Sequence, residues 1–130
     1  METRFRHDLV EWLRADSVLA SLVNAVEEES PAEASPPWIG IAASAASDWS
    51  SKDRVGREVR VALEFVDRSG DPSTTAEIVA RIEMRIATMP PLQPGYRLVM
   101  TQFLRSRAER RKRALRAALL EYRFLLLADA

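Results

Sequence analysis

Cysteine is absent from the 130 residues. That removes disulfides, zinc–thiolate centres and thiol nucleophiles, and it is compatible with a reducing compartment. Histidine occurs once, as His7. A serine triad would have to take its base from there, and no Gly-x-Ser-x-Gly elbow accompanies it. The glycines, Gly40, Gly56, Gly70 and Gly95, are scattered, so neither a Walker loop nor a Gly-x-Gly-x-x-Gly turn can be assembled. No apolar run approaches the ~18 residues of a membrane span. The start is amphipathic and carries acids, unlike a secretion signal, so the cytoplasm is the expected site and no membrane partner is expected. Excess charge of one sign is missing too. Nineteen Lys+Arg balance 19 Asp+Glu, which leaves the whole chain without bulk attraction for DNA or membrane. With no nucleophile, acid–base pair or cofactor cradle, the expectation is a non-enzyme that binds neither cofactor nor metal. A carboxylate-dependent hydrolase stays open as the enzymatic alternative.

What is there reads as a single domain over residues 1–130, a usual size of roughly 100–150 residues. Residues 3–14 fit a helix with Phe5, Leu9, Trp12 and Leu13 on one face. Asp16 or Ser17 caps a second short helix carrying Val18, Leu19, Leu22 and Val23. Pro31, Pro36 and Pro37 then break the chain. Residues 38–43 fit a short strand led by Trp38, which this pattern assigns to the core, and 45–53 a loop. From 58 to 66, Val59, Val61, Leu63 and Phe65 alternate with Arg60, Ala62 and Glu64, the mark of a strand. A turn follows at 67–71. Thr74 with Glu77 forms a capping box opening a helix whose buried stripe is Val79, Ile82, Ile86 and Met89, with an outward Glu77–Arg81 pair. Prolines at 90, 91 and 94 end it. Residues 96–105 read as a strand. Residues 113–126 fit either element, and local propensity favours helix for 113–120. The implied class is α+β: a mostly antiparallel sheet of about four strands packed by two or three helices.

Three features rise above background. Arg105, Arg107, Arg110, Arg111, Lys112, Arg113 and Arg116 form a basic cluster with Glu109 as its only acid. No aromatic interleaves them, which disfavours base stacking. The cluster can be a solvated hairpin tip or helix face, a contact for an acidic partner, or a nucleic-acid contact. As a solvated tip, Arg110, Arg111, Lys112 and Arg113 are expected to tolerate replacement without loss of fold. The acidic run Glu27, Glu28 and Glu29 has the opposite sign, and a head-to-tail ring could bring the two together across each subunit boundary. Trp49, among serines and aspartate, either folds back on the domain or anchors an interface. Glu27–Glu29, Trp49, Arg107 and Arg110–Arg113 are therefore the candidate interface.

Several stretches carry a resemblance. They are His7-Asp-Leu-Val-Glu-Trp-Leu-Arg-Ala-Asp-Ser-Val-Leu-Ala-Ser-Leu-Val23, Pro36-Pro-Trp-Ile-Gly-Ile41, Arg57-Glu-Val-Arg-Val-Ala-Leu-Glu-Phe65, Arg97-Leu-Val-Met100, Phe103-Leu-Arg-Ser-Arg-Ala-Glu-Arg110 and Glu121-Tyr-Arg-Phe-Leu125. In them the chain resembles the tail-terminator, or tail-completion, proteins of long-tailed phages and phage-derived gene transfer agents. The resemblance implies that the last segment, about 115–127, is a strand. It also implies a homo-hexameric ring seated on the tail tube protein and facing a head-side connector or stopper protein, with DNA passing through the lumen unread. Such a protein assembles in the bacterial cytoplasm and ends at the neck of the particle. A head-closure protein and a nucleic-acid-binding regulator remain the rival readings.

Overall fold

A computed structural model describes residues 1–31 and 33–129. In chain order these form α1 (Glu2–Arg14), α2 (Ser17–Leu22), β1 (Ala25–Glu27), β2 (Trp38–Asp48), β3 (Gly56–Asp67), α3 (Pro72–Ala87), β4 (Leu92–Gln93), β5 (Tyr96–Arg110) and β6 (Arg116–Ala128). The strands make one sheet of order β1-β2-β3-β6-β5-β4. All pairings are antiparallel except β1 with β2. The class and the antiparallel bias are as read from the sequence. The strand number is not: four long strands are joined by a three-residue edge strand, β1, and a two-residue one, β4. Nothing in a two- or three-residue segment gives a period to read.

The helices cover one face of the sheet. Val59, Val61, Leu63 and Phe65 of β3 and Leu120, Tyr122, Phe124 and Leu126 of β6 meet Phe5, Leu9 and Leu13 of α1 and Ile78, Ile82 and Ile86 of α3 in one buried cluster. Phe5 is its hub, 4.6 Å from the Phe124 ring and edge-on to Tyr96. The helices are tied to each other by polar contacts. Trp12 Nε1 donates to the Arg85 carbonyl at 2.7 Å, Arg85 Nε donates back to the Trp12 carbonyl, and the Arg85 guanidinium lies over the indole, a cation–π arrangement. Asp16 caps α2 by accepting from the Leu19 N–H and takes two bonds from Arg81, at 2.9 and 2.5 Å. The Arg81 bond outweighs the burial that opposes charge, so the Asp16 carboxyl is held below the usual aspartate range.

Several local expectations are corrected. α3 begins at Pro72 and is capped by Asp71, which accepts from the Ser73 N–H, rather than by a Thr74–Glu77 box; proline suits the first helical turn and an upstream aspartate suits the cap. Arg81 reaches Asp16 instead of Glu77. The buried stripe uses Ile78 where Val79 was expected, with Val79 only partly buried against it. β2 runs on through Asp48, five residues beyond the expected end, because its Ala/Ser tail pairs throughout with β3. Trp38 is half-buried and lies outside the core cluster: it alternates with core-facing Ile39 and so points to the other face. β5 extends to Arg110. Residues 116–120, helix-friendly by composition, are strand because β6 is the central strand, paired along its length with β3 and β5; tertiary pairing overrides local propensity.

Candidate functional site

The long β5–β6 hairpin ends in a tight turn. The Arg111 N–H donates to the Leu115 carbonyl and the Leu115 N–H to that of Lys112. The central residues Arg113 and Ala114 have φ of 62° and 61°, so the turn is of the mirror-image type that fits the twist of a hairpin but disfavours side chains with a Cβ. This turn displays the basic cluster. Arg107, Arg110, Lys112 and Arg113 are exposed.

Arg111 behaves differently. It folds inward onto Glu64 and also pairs with Glu109 at 2.9 Å. Burial opposes its charge, but the bonds to both glutamates hold its pKa above the ordinary arginine value. Glu64 is 5% exposed and accepts a second bond, from Ser30 Oγ at 3.0 Å. Ser30 follows the acidic run directly, so Glu64 ties the acidic loop and the arginine turn to one end of the same subunit. The loop lies across the helix-free face there: a Cβ on Gly40 would come 2.7 Å from the Glu29 carbonyl oxygen. The two patches of opposite sign thus share one end of the sheet within one chain, and Arg111 belongs to the subunit's own packing.

Within the acidic run, Glu27 pairs with Arg14 at 3.0 Å and Glu28 approaches His7 at 3.7 Å, both exposed contacts of the kind that contribute little. Trp49 is 36% exposed and sits in the β2–β3 connection, its N–H bonded to the Gly56 carbonyl. It stands at the opposite end of the sheet from the arginine turn. Asp48 is level with Arg57 and Leu126, whereas Gly40 is level with Glu64, Leu119 and Arg107. The structure therefore places Glu27–Glu29 and the arginines Arg107, Arg110, Arg111 and Arg113 with Lys112 at one end of the sheet, linked through Ser30, Glu64 and Arg111, and leaves Trp49 at the other.

A cleft of about 340 Å³ opens beside the basic turn, between the start of α3 and the hairpin. Its rim carries Arg107, Arg110 and Arg116, and Thr75, Val79 and Ala118 are among its lining. The sequence did not reveal Glu64, because its alternation with Leu63 and Phe65 reads as solvent-facing and its cover comes from a distant loop. Asp67 was likewise missed. It is 4% exposed, and its Oδ2 accepts from Thr75 Oγ1 at 2.8 Å while its Oδ1 has no partner among the described residues. Near the other end, Tyr96 donates to Asp8 Oδ2 at 2.7 Å; burial first and this bond second push its phenol pKa up. Among the described residues no group of three or more His, Asp or Glu is placed to hold a metal.

Comparison with known proteins adds the following. The model of the family described as Tail completion protein gp17 matches residues 7–127. A chain in a solved structure titled "Virion of native gene transfer agent (GTA) particle" superimposes with a TM-score of 0.78 at 23% identity, over 95% of this chain and 94% of that one. At that identity the likeness speaks for the fold. No curated protein matches the chain.

Proposed function

We propose, from the premise that the chain belongs to the Tail completion protein gp17 family, that it is a structural morphogenesis protein without catalytic activity. In this reading it is a tail terminator of a phage or gene transfer agent: a ring of six copies that caps the tail tube protein and presents a surface to the head-side connector. DNA passes through the ring without being read. The ring assembles in the cytoplasm of the producing bacterium and stays at the neck of the finished particle. The family match across nearly the whole chain carries the proposal.

The physical features agree with it. Net charge is zero, so the subunit has no general pull on DNA, and the densest run of exposed cations lies at one turn, that between β5 and β6. Of the five candidate cations at that turn Arg111 is internally paired, which leaves Arg107, Arg110, Lys112 and Arg113 to meet a partner. His7 is exposed and near a carboxylate.

The test is genetic. Deleting the gene in the producing strain should leave filled or fillable heads, with tails unjoined or of unregulated length. A deletion strain that releases normal infectious or transducing particles would overturn the proposal.

A further inference from the structure

Both flanks of the sheet are open over most of their length. β1 covers β2 only at Trp38–Gly40, so the outer edge of Ile41–Asp48 pairs with no described residue. β4 covers β5 only at Tyr96–Arg97, and the Leu98 N–H is taken by the Pro91 carbonyl. Val99–Arg110 then pairs with no described residue on its outer side. A row of unpaired N–H and C=O groups is a template for another strand, and proteins that must stay apart blunt such edges with charge or proline. Over Val99–Leu104 of β5 neither device is present, and charge enters that edge only from Arg105. Ile41–Ser47 carries neither. β5 exposes Val99, Met100, Phe103 and Leu104 at 45, 42, 44 and 38%, a concentration of exposed apolar side chains on the part of the strand that β4 leaves uncovered.

The two edges fit each other. β2, β3, β6 and β5 alternate in direction, so β2 of one copy lies antiparallel to β5 of a copy related by rotation, the arrangement in which strands pair well. Following the register across the sheet, Ala45 is level with Arg60, Arg123 and Gln102. By the same steps Ile41–Asp48 spans the same levels as Leu98–Ser106, which includes the whole apolar stretch. The covers sit at opposite ends: β1 caps β2 beside Gly40, level with Arg107, whereas β4 caps β5 at the far end. Each edge is open where the other is open. Glu27, level with Gly40 at the end of β1, then falls beside Arg107 of the next copy, where the paired stretch of β5 ends, an opposite-charge contact. Bulges in β5 at Leu98/Met100 and Phe103/Arg105 bend the strand, which a sheet that closes on itself requires.

We propose that copies of this chain join edge to edge, Ile41–Asp48 of β2 pairing antiparallel with Val99–Ser106 of β5 in the next copy, so that the closed assembly carries one continuous sheet. The interface is heterologous, two different edges of one subunit, and closes into a ring rather than a two-fold dimer. It rests on the ring reading above and names the surface that builds it.

The chain has no cysteine, so introduced pairs report cleanly. Gln102→Cys is combined in turn with Ala43→Cys, Ala45→Cys and Ser47→Cys, which share one face and cover a register shift of two residues either way. Particles are collected from a deletion strain supplied with each double variant, oxidised, and resolved without reductant. At least one pair should give a ladder of covalent multiples of the chain, while each single variant stays at monomer mass. No ladder from any pair, or a dimer from Gln102→Cys alone, overturns edge pairing. Where a double variant fails to enter particles, the same bands are required of the purified protein at high concentration, and their absence there counts equally against it. In parallel, Val99→Lys with Leu104→Lys should leave the melting curve in place and cut joined particles at least tenfold; an unchanged yield overturns the proposal. Joined particles that show no cross-link remove the edge pairing and leave the terminator role. Cross-linked rings from a gene whose deletion is harmless do the opposite.

Discussion

Arg111 sits among cations that face solvent, yet it is the one that reaches back to the buried Glu64. A carboxylate this buried needs its partner, because removing one member of such a pair leaves an uncompensated charge. A fully buried pair loses ~3–5 kcal/mol on truncation; with the Arg111 side chain about a third exposed, water screens part of that, and ~2 kcal/mol is the expected cost of Arg111→Ser. Lys112→Ser, beside it in sequence, should change stability by less than ~0.5 kcal/mol. Urea titration of the two variants checks this, and equal midpoints would show that Glu64 is satisfied without Arg111. The expectation that all four of Arg110–Arg113 can be replaced without loss of fold is therefore revised. A neutralised surface that keeps its subunit intact changes Arg107, Arg110, Lys112 and Arg113 and leaves Arg111 in place.

The β5–β6 hairpin shows at the scale of an element how much the sequence disclosed. α1 and β3 were legible because their apolar residues keep a clean period, 3.6 for Phe5, Leu9 and Leu13 and two for Val59 to Phe65, although β3 is buried on both faces from Leu63 to Asp67. β6 was not, since Arg113–Leu120 is composed of good helix formers and only its two flanking strands decide otherwise. The family resemblance supplied that strand where the residues alone left it open. The end of β2 was hidden for a related reason: alanine and serine have little strand preference, and pairing with β3 holds them. At the candidate site the two charge clusters were plain in the sequence. Their meeting at Glu64 was not, because it depends on a loop and a turn far apart in the chain. The turn itself keeps a local conflict, with Arg113 and Ala114 both in the left-handed region. A Cβ there costs about 1–2 kcal/mol per residue, while glycine gains some freedom in the unfolded chain. Ala114→Gly should thus raise stability by about 0.5–1 kcal/mol, read as a higher urea midpoint with an unchanged slope. A lower midpoint would mean that the turn is held by contacts of the Ala114 methyl.

For the whole molecule, balanced charge and segregated charge coexist. The net is zero, yet the acidic loop and the basic turn share one end of the sheet, and the apolar edge of β5 runs between that end and the one bearing Trp49. A subunit arranged this way has distinct surfaces for a neighbouring copy and for something above or below it, which is what a ring stacked between a tube and a connector requires. In the proposed function many copies of this chain close a ring at the junction of tail and head. A cryo-electron map of the assembled particle, at a resolution that distinguishes this sheet from its neighbours, tests it most directly. The expected result is a closed ring of identical copies at the neck, β2 of each beside β5 of the next. A single copy, or a ring found elsewhere in the particle, would contradict it.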